Sequence, residues 1–206
     1  MTRWYKDKKN EYYYKKAKRE RYRSRAAYKL KQLNRKFDLI RRGYKVVDLG
    51  AAPGGWMQVT RELVAKEGFV LGVDLEEIEE LGFDNVITLK GDFTNKETVQ
   101  KIIDTVGYVD AVISDASPNI SGVWDIDHYR SVELCRSALE IATMVLRNRG
   151  NFLVKIFQGR EVDDFFKEVK DNFTLAKRTK PKASRGKSAE IYIIGKGFKY
   201  PKEVGR

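Results

Sequence analysis

The sequence predicts an α/β protein built on an open, mostly parallel seven-stranded sheet, with an antiparallel last strand and helices on both faces. Three observations lead there. Short apolar runs alternate with stretches of helical periodicity through most of the 206 residues. The acids Asp48, Asp74, Asp92 and Asp115 stand at the ends of such runs or open the loops behind them. Between the first run and the first long amphipathic stretch after it lies Asp48-Leu49-Gly50-Ala51-Ala52-Pro53-Gly54-Gly55-Trp56, a glycine-rich turn leading into a helix. Open parallel sheets hold nucleotide-like ligands at such a turn, outside the carboxyl ends of their strands.

The elements follow in order. Residues 1 to about 23 are too polar to bury much and read as partly disordered when free. Ser24 is a candidate cap for a helix carrying Ala27, Leu30, Leu33 and Phe37 at helical spacing. Lys45–Leu49 is the first strand and Gly55 to Ala65 a helix with Val59 and Leu63 on one face. Phe69–Asp74 and Val86–Lys90 are the second and third strands. A helix from Asn95 to about Thr105 turns Val99, Ile102 and Ile103 inward. Val109–Ser114 is the fourth strand, followed by a loop from Ala116 to about Asp127 and a long helix, Val132–Leu146. Asn151–Phe157 is the fifth strand and Glu161–Lys170 a helix. Phe173–Arg178 and Ile191–Ile194 are the last strands; with only a loop between them they should pair antiparallel.

Composition excludes several classes. One cysteine, Cys135, rules out an intrachain disulfide and a cysteine-based zinc cluster, and no metal-ligand spacing is evident. One histidine, His128, leaves little room for a Ser-His-Asp triad. No apolar run reaches the roughly 18 residues of a membrane span, and the basic N-terminus lacks the apolar stretch of a signal peptide. The expectation is a cytoplasmic, monomeric, metal-independent protein. The formal charge is +12, unevenly placed: residues 1–45 hold 18 lysines and arginines against 4 acids, the remainder 23 against 25. Trp4, Tyr5, Tyr12, Tyr13, Tyr14, Tyr22 and Tyr28 are interleaved with those cations. Cations neutralise phosphates and aromatics stack on bases, so the segment points to RNA. A second basic stretch, Arg178, Lys180, Lys182, Arg185 and Lys187, joins the last two strands and should sit near the cleft.

The glycine turn is neither a GxGxxG dinucleotide fingerprint nor a GxxxxGK[ST] phosphate loop. An acid behind a strand of such a sheet commonly accepts from ribose hydroxyls. Three further ionisable residues stand out: Asp115 at the end of the fourth strand, Lys155 in the fifth, and Glu190 at the start of the last. Lys155 lies among Leu153, Val154, Ile156 and Phe157; desolvation favours the neutral amine, which can act as a general base, while nearby carboxylates oppose this. Taken singly, each has a plain structural reading as a strand-end charge.

The string DLGAAPGGW resembles motif I of S-adenosylmethionine-dependent methyltransferases. More narrowly, it resembles that of the FtsJ/RrmJ-type RNA ribose 2′-O-methyltransferases. The strings SRAAYKL, SDASPN, VKIFQG and SAEIY are similar to the segments around that family's K-D-K-E tetrad. The resemblance runs from about residue 24 to 195. It implies a Rossmann-like fold over residues 24–206 behind a basic extension, residues 1–23. It implies Gly54, Trp56, Asp74, Asp92 and Asp115 as contacts to S-adenosylmethionine, and Lys29, Asp115, Lys155 and Glu190 as the catalytic set. The implied substrate is a uridine ribose of large-subunit ribosomal RNA. The tRNA anticodon loop is the alternative, and a non-catalytic RNA-binding ribosome-assembly factor is the alternative of another class.

Overall fold

The computed structural model describes residues 3–184 and 188–200, with side chains from residue 11 onward. In chain order the elements are α1 (Arg3–Arg19), α2 (Ala27–Phe37), β1 (Lys45–Leu49), α3 (Gly55–Val64), β2 (Phe69–Asp74), β3 (Val86–Lys90) and α4 (Lys96–Val106). There follow β4 (Val109–Ser114), α5 (Trp124–Val145), β5 (Leu146–Phe157), α6 (Val162–Asn172), β6 (Phe173–Thr179) and β7 (Glu190–Phe198). The seven strands form one sheet in the order β3-β2-β1-β4-β5-β7-β6. β7 runs antiparallel between β5 and β6, and the other pairings are parallel.

Alternation along the strands divides the core between the two faces. Val46, Ala111, Ile113 and Leu153 meet Leu30 and Leu33 of α2 and Met57 and Val59 of α3. Val47, Val112, Phe152 and Val154 meet Ile102 of α4, Val132 and Ala142 of α5, and Phe165 of α6. Successive strand residues point to opposite faces, so both faces must be apolar when both carry helices. The antiparallel last pairing is as expected. β7 is longer than Ile191–Ile194 because it bonds to neighbours on both sides.

Four local expectations are corrected. The N-terminal segment is helical in α1. Glu11–Lys15 and Lys16–Glu20 pair along it at i,i+4. Ala17 is buried against Tyr28 and Ala183, with Tyr13 packed beside it. Polar composition hid a narrow strip, Tyr13 and Ala17, that gains its burial from the domain and not from within the segment. Ser24 does not cap α2, whose first turn follows Ala26 with no side-chain cap. The Ser24 side chain lies against Gly55 instead, where a Cβ would come within 2.2 Å of its Oγ. α5 begins at Trp124, eight residues before Val132, because Asp127 in its first turn accepts hydrogen bonds from Ser121 N and Oγ and from Gly122 N. Those bonds hold the Asp127 carboxyl below its ordinary value. β5 starts at Leu146 with a register shift between the pairs Val109–Leu146 and Ala111–Asn151, and Arg149 takes φ +65° within it.

Candidate active site

The strand order reverses between β1 and β4, and the chain leaves a cleft there, where open α/β sheets bind ligands. The cleft encloses about 290 Å³ and is lined by Gly50, Asp74, Asp92, Phe93, Asp115 and Leu134, among others. The turn after β1 is held from below: Gly50 N and Ala51 N donate to Val73 O at 2.8 and 3.1 Å, and Asp74 Oδ2 accepts from Ala52 N at 2.9 Å. Gly50 has φ +73°, and a Cβ on it would sit 2.5 Å from Ala116 Cβ. Only glycine lets the turn after β1 and the loop after β4 meet so closely. Asp74 Oδ1 also accepts from Glu76 N, and Asp92 Oδ1 from Thr94 N and Oγ1, which fixes both carboxylates at the rim.

Of the residues expected to contact a cofactor, the structure brings Asp74, Asp92 and Asp115 into this cleft. Gly54 and Trp56 are not in its lining. Trp56 is buried behind the turn, its Nε1–H donating to Ala26 O at 2.9 Å and its ring stacked on Tyr192 at 6.1 Å. A tryptophan after a glycine turn reads as a ligand contact in sequence. Here it ties the turn to the start of α2 and to β7.

The four expected catalytic residues converge from four elements. Lys29 comes from α2, Asp115 from the end of β4, Lys155 from β5 and Glu190 from the start of β7. Lys155 Nζ donates to the Asp115 main-chain oxygen at 2.7 Å and lies 3.4 Å from Asp115 Oδ1 and 3.9 Å from Glu190 Oε1. Lys29 Nζ lies 3.1 Å from Glu190 Oε2 and 3.8 Å from Asp115 Oδ1. Both lysines are 6% exposed, so two amines and two carboxyl groups face one another almost out of water. Burial raises the Glu190 carboxyl, but Lys29 and Lys155 outweigh it and leave Glu190 below its ordinary value.

Sequence reasoning missed one member of this site, Tyr192, and read another, Asp48, as one of the acids facing the ligand, whereas it is buried. Tyr192, fully buried, donates its hydroxyl to Asp115 Oδ1 at 2.7 Å. Burial and the Asp115 charge push this phenol well above its usual range, so it stays a donor. The signal was present: Tyr192 stands two residues after Glu190 in a strand, on the same face. Asp48 lies wholly buried in β1, neither carboxylate oxygen finding a partner among the described residues. Burial, then Asp115 and Asp74, drive its carboxyl well above the ordinary range. It sits under the turn and is best satisfied as the neutral acid.

The donor set suits S-adenosylmethionine. Three carboxylates at the rim offer acceptors to an ammonium, a ribose diol and an adenine amine, and they place negative charge beside a sulfonium. Phe93 and Leu134 supply apolar surface for a flat ring.

The RNA side is rearranged from the sequence reading. Tyr13, Tyr22 and Tyr28 are engaged within the fold: Tyr13 accepts from Gln32 Nε2, Tyr22 donates to Glu62, and Tyr28 donates to Glu20. Tyr12 and Tyr14 stay exposed. The side chains of Trp4 and Tyr5 lie outside the described residues, as do Arg185 and Lys187. Arg178 pairs with Asp163 at 2.6 Å and lies over the Phe166 ring, and Lys180 Nζ donates to Ser188 O.

Fold and cleft together define a Rossmann-like methyltransferase of the S-adenosylmethionine-dependent class. The chain belongs to the FtsJ-like methyltransferase family, whose model matches residues 22–198. It is 52% identical over 200 residues to the ribosomal RNA large subunit methyltransferase E of Methanocaldococcus jannaschii, covering 95% of this chain and 82% of that one. It is 56% identical over 187 residues to the protein of the same name from Methanothrix thermoacetophila, covering 90% and 72%. Among solved structures, a ribosomal RNA methyltransferase from Plasmodium falciparum superposes with a TM-score of 0.76 at 28% identity over 86% of this chain and 98% of that one. Fibrillarin of Aeropyrum pernix shares the fold at a TM-score of 0.54, 15% identity and 76% of this chain against 68% of its own. Among the described residues no helix is long and apolar enough to cross a membrane.

Proposed function

We propose that this protein methylates a ribose 2′-hydroxyl of large-subunit ribosomal RNA, at a uridine, and that it acts as a cytoplasmic monomer on the ribosomal subunit or its RNA. The observation that carries the reading is that Asp115 belongs to both sites at once. It lines the cofactor cleft, and it holds Lys155 through its main-chain oxygen.

Asp74, Asp92 and Asp115 would hold S-adenosylmethionine, which when bound supplies an electrophilic methyl on a sulfonium. Lys155, as the free amine, accepts the proton of the attacking hydroxyl at Nζ and becomes the ammonium. Asp115 fixes where that nitrogen points, because its carbonyl and carboxylate flank it. Lys29 and Glu190, paired at 3.1 Å, close the other side and position the ribose. Most of the rate arises from alignment of the hydroxyl, with proton transfer adding roughly 10²–10⁴-fold. The basic extension, residues 1–23, contributes phosphate contacts: α1 docks on Tyr28, next to Lys29, with Lys15 and Arg19 exposed.

The test is transfer of labelled methyl from S-adenosylmethionine to large ribosomal subunits, naked ribosomal RNA and bulk tRNA, followed by nucleoside mapping. A 2′-O-methyluridine in subunits or ribosomal RNA is expected. Label confined to tRNA moves the substrate, and RNA binding with no label in any of them ends the enzymatic reading. Lys155→Ala should lose at least about 100-fold in rate with cofactor affinity retained; an unchanged rate removes Lys155 from the proton path.

A further inference from the structure

Beside the tetrad, on the side away from the cofactor cleft, the structure holds a second cavity of about 310 Å³. Its lining includes Ile120, Gly122, Trp124, Phe157, Ser188 and Glu190. Glu190 is the link. It belongs to the charged cluster and also walls this cavity, as Asp115 belongs to the cluster and walls the cofactor cleft. The register of the sheet makes the link rigid, because Phe157 on β5 pairs directly with Glu190 on β7.

The far wall is aromatic. The Trp124 ring stacks on Phe157 at 6.0 Å with 19° between planes, yet Trp124 remains 49% exposed. Around it Ile120, Val123, Ile126 and Tyr129 are also exposed, each by more than two-fifths. Such a gathering of apolar surface on one loop and helix start marks a contact site. The loop is not slack: Asp127 fastens Ser121 and Gly122, and His128 Nδ1 meets Phe157 O at 3.1 Å. The aromatic pair is therefore presented on a braced surface.

We infer that this cavity receives the base of the acceptor nucleotide, extruded from the RNA and stacked on Trp124. The inference rests on the ribose reading above. In a nucleotide the base is carried by C1′, the carbon bonded to C2′. A ribose whose 2′-hydroxyl sits at Lys155 must place its base within a few bonds of the tetrad. The cofactor cleft lies on the Asp115 side, so the base goes to the Glu190 side. Bases taken out of a stack are held between aromatic and apolar side chains. Both Asp127 oxygens are occupied by the loop's own donors. The pocket thus recognises a flat ring by stacking and shape, with the Ser188 hydroxyl, which accepts from Glu190 N at 3.2 Å, and the Glu190 carboxyl as the remaining polar side chains of its lining.

The experiment uses an RNA fragment spanning the mapped acceptor and a second fragment carrying 1-deoxyribose, a ribose without a base, at that position. Single-turnover methyl transfer and cofactor affinity are measured for the wild type, Trp124→Ala and Trp124→Phe. The wild type should transfer roughly 5- to 150-fold more slowly to the baseless fragment, the range that base stacking carries. Trp124→Ala should show a similar loss on the intact fragment and little further loss on the baseless one, with cofactor affinity unchanged. Trp124→Phe should keep most of the rate. A wild type that methylates both fragments equally fast overturns the base site and leaves the ribose reading intact, whatever the variants do. So does a Trp124→Ala loss as large on the baseless fragment as on the intact one. A wild type that methylates no RNA ends both.

Discussion

Tyr192→Phe removes one hydrogen bond and almost nothing else. The phenylalanine ring keeps the stacking place on Trp56, in a site with no exposure. What is lost is the 2.7 Å bond from the phenol to Asp115 Oδ1. A hydrogen bond to a charged group contributes about 1.5–3 kcal/mol, toward the upper end when both partners are shielded from water. After the change Asp115 Oδ1 depends on Lys155 and Lys29, at 3.4 and 3.8 Å, both longer than a good hydrogen bond. At about 2–4 °C per kcal/mol for a chain of this size, Tm should fall by roughly 3–12 °C. The methyl-transfer rate should fall by up to about 100-fold if the carboxylate swings by about 1 Å. The assay is thermal melting and single-turnover transfer for Tyr192→Phe, Asp115→Asn and the double variant. Tyr192 is a positioning residue acting through Asp115, so its effect on rate should nearly vanish in the Asp115→Asn background. An equal loss in both backgrounds, or a wild-type Tm and rate, would refute the reasoning.

Two further changes probe the turn after β1. Gly50→Ala puts a methyl 2.5 Å from Ala116 Cβ at φ +73°, so it should destabilise by more than about 1 kcal/mol and weaken cofactor binding at least tenfold by calorimetry; wild-type affinity would show that the turn and the loop after β4 need not touch. Asp48→Asn tests the orphaned acid. Its carboxyl is raised in the folded protein, so the native state holds a proton that the unfolded chain has released, and wild-type stability should fall as pH rises from about 4 toward the folded value, by up to about 1.4 kcal/mol per pH unit. Asn removes that slope, so the variant should gain on the wild type with rising pH in melts between pH 4 and 8; parallel curves would mean that Asp48 ionises freely in place.

Much of the site could be read in the chain itself, because its signals are local. An apolar run ended by an acid sets Asp74 and Asp115 at strand termini whatever the strands pair with. A turn of Gly50, Gly54 and Gly55 marks a backbone brought close to something else. A continuous apolar run, Leu153, Val154, Ile156 and Phe157, already put Lys155 between core residues. The sheet type followed for the same reason, since runs apolar on both faces require helices on both faces.

What the tertiary structure alone decided is who meets whom across strands. The register that sets Lys155 opposite Tyr192 and Phe157 opposite Glu190 depends on β7 entering between β5 and β6. No local pattern encodes that, because a slip by one residue preserves the composition and turns each side chain to the other face. The same holds for Trp56, whose sequence context reads as ligand contact and whose packing closes the core behind the turn. It holds for α1, too polar to bury itself and ordered by Tyr28 and Ala183. Residue type and spacing determined which chemistry the chain carries. Contacts between residues distant in sequence determined which groups share a proton, a charge or a wall, because a side chain's surroundings are set by the elements packed around it and not by its own segment.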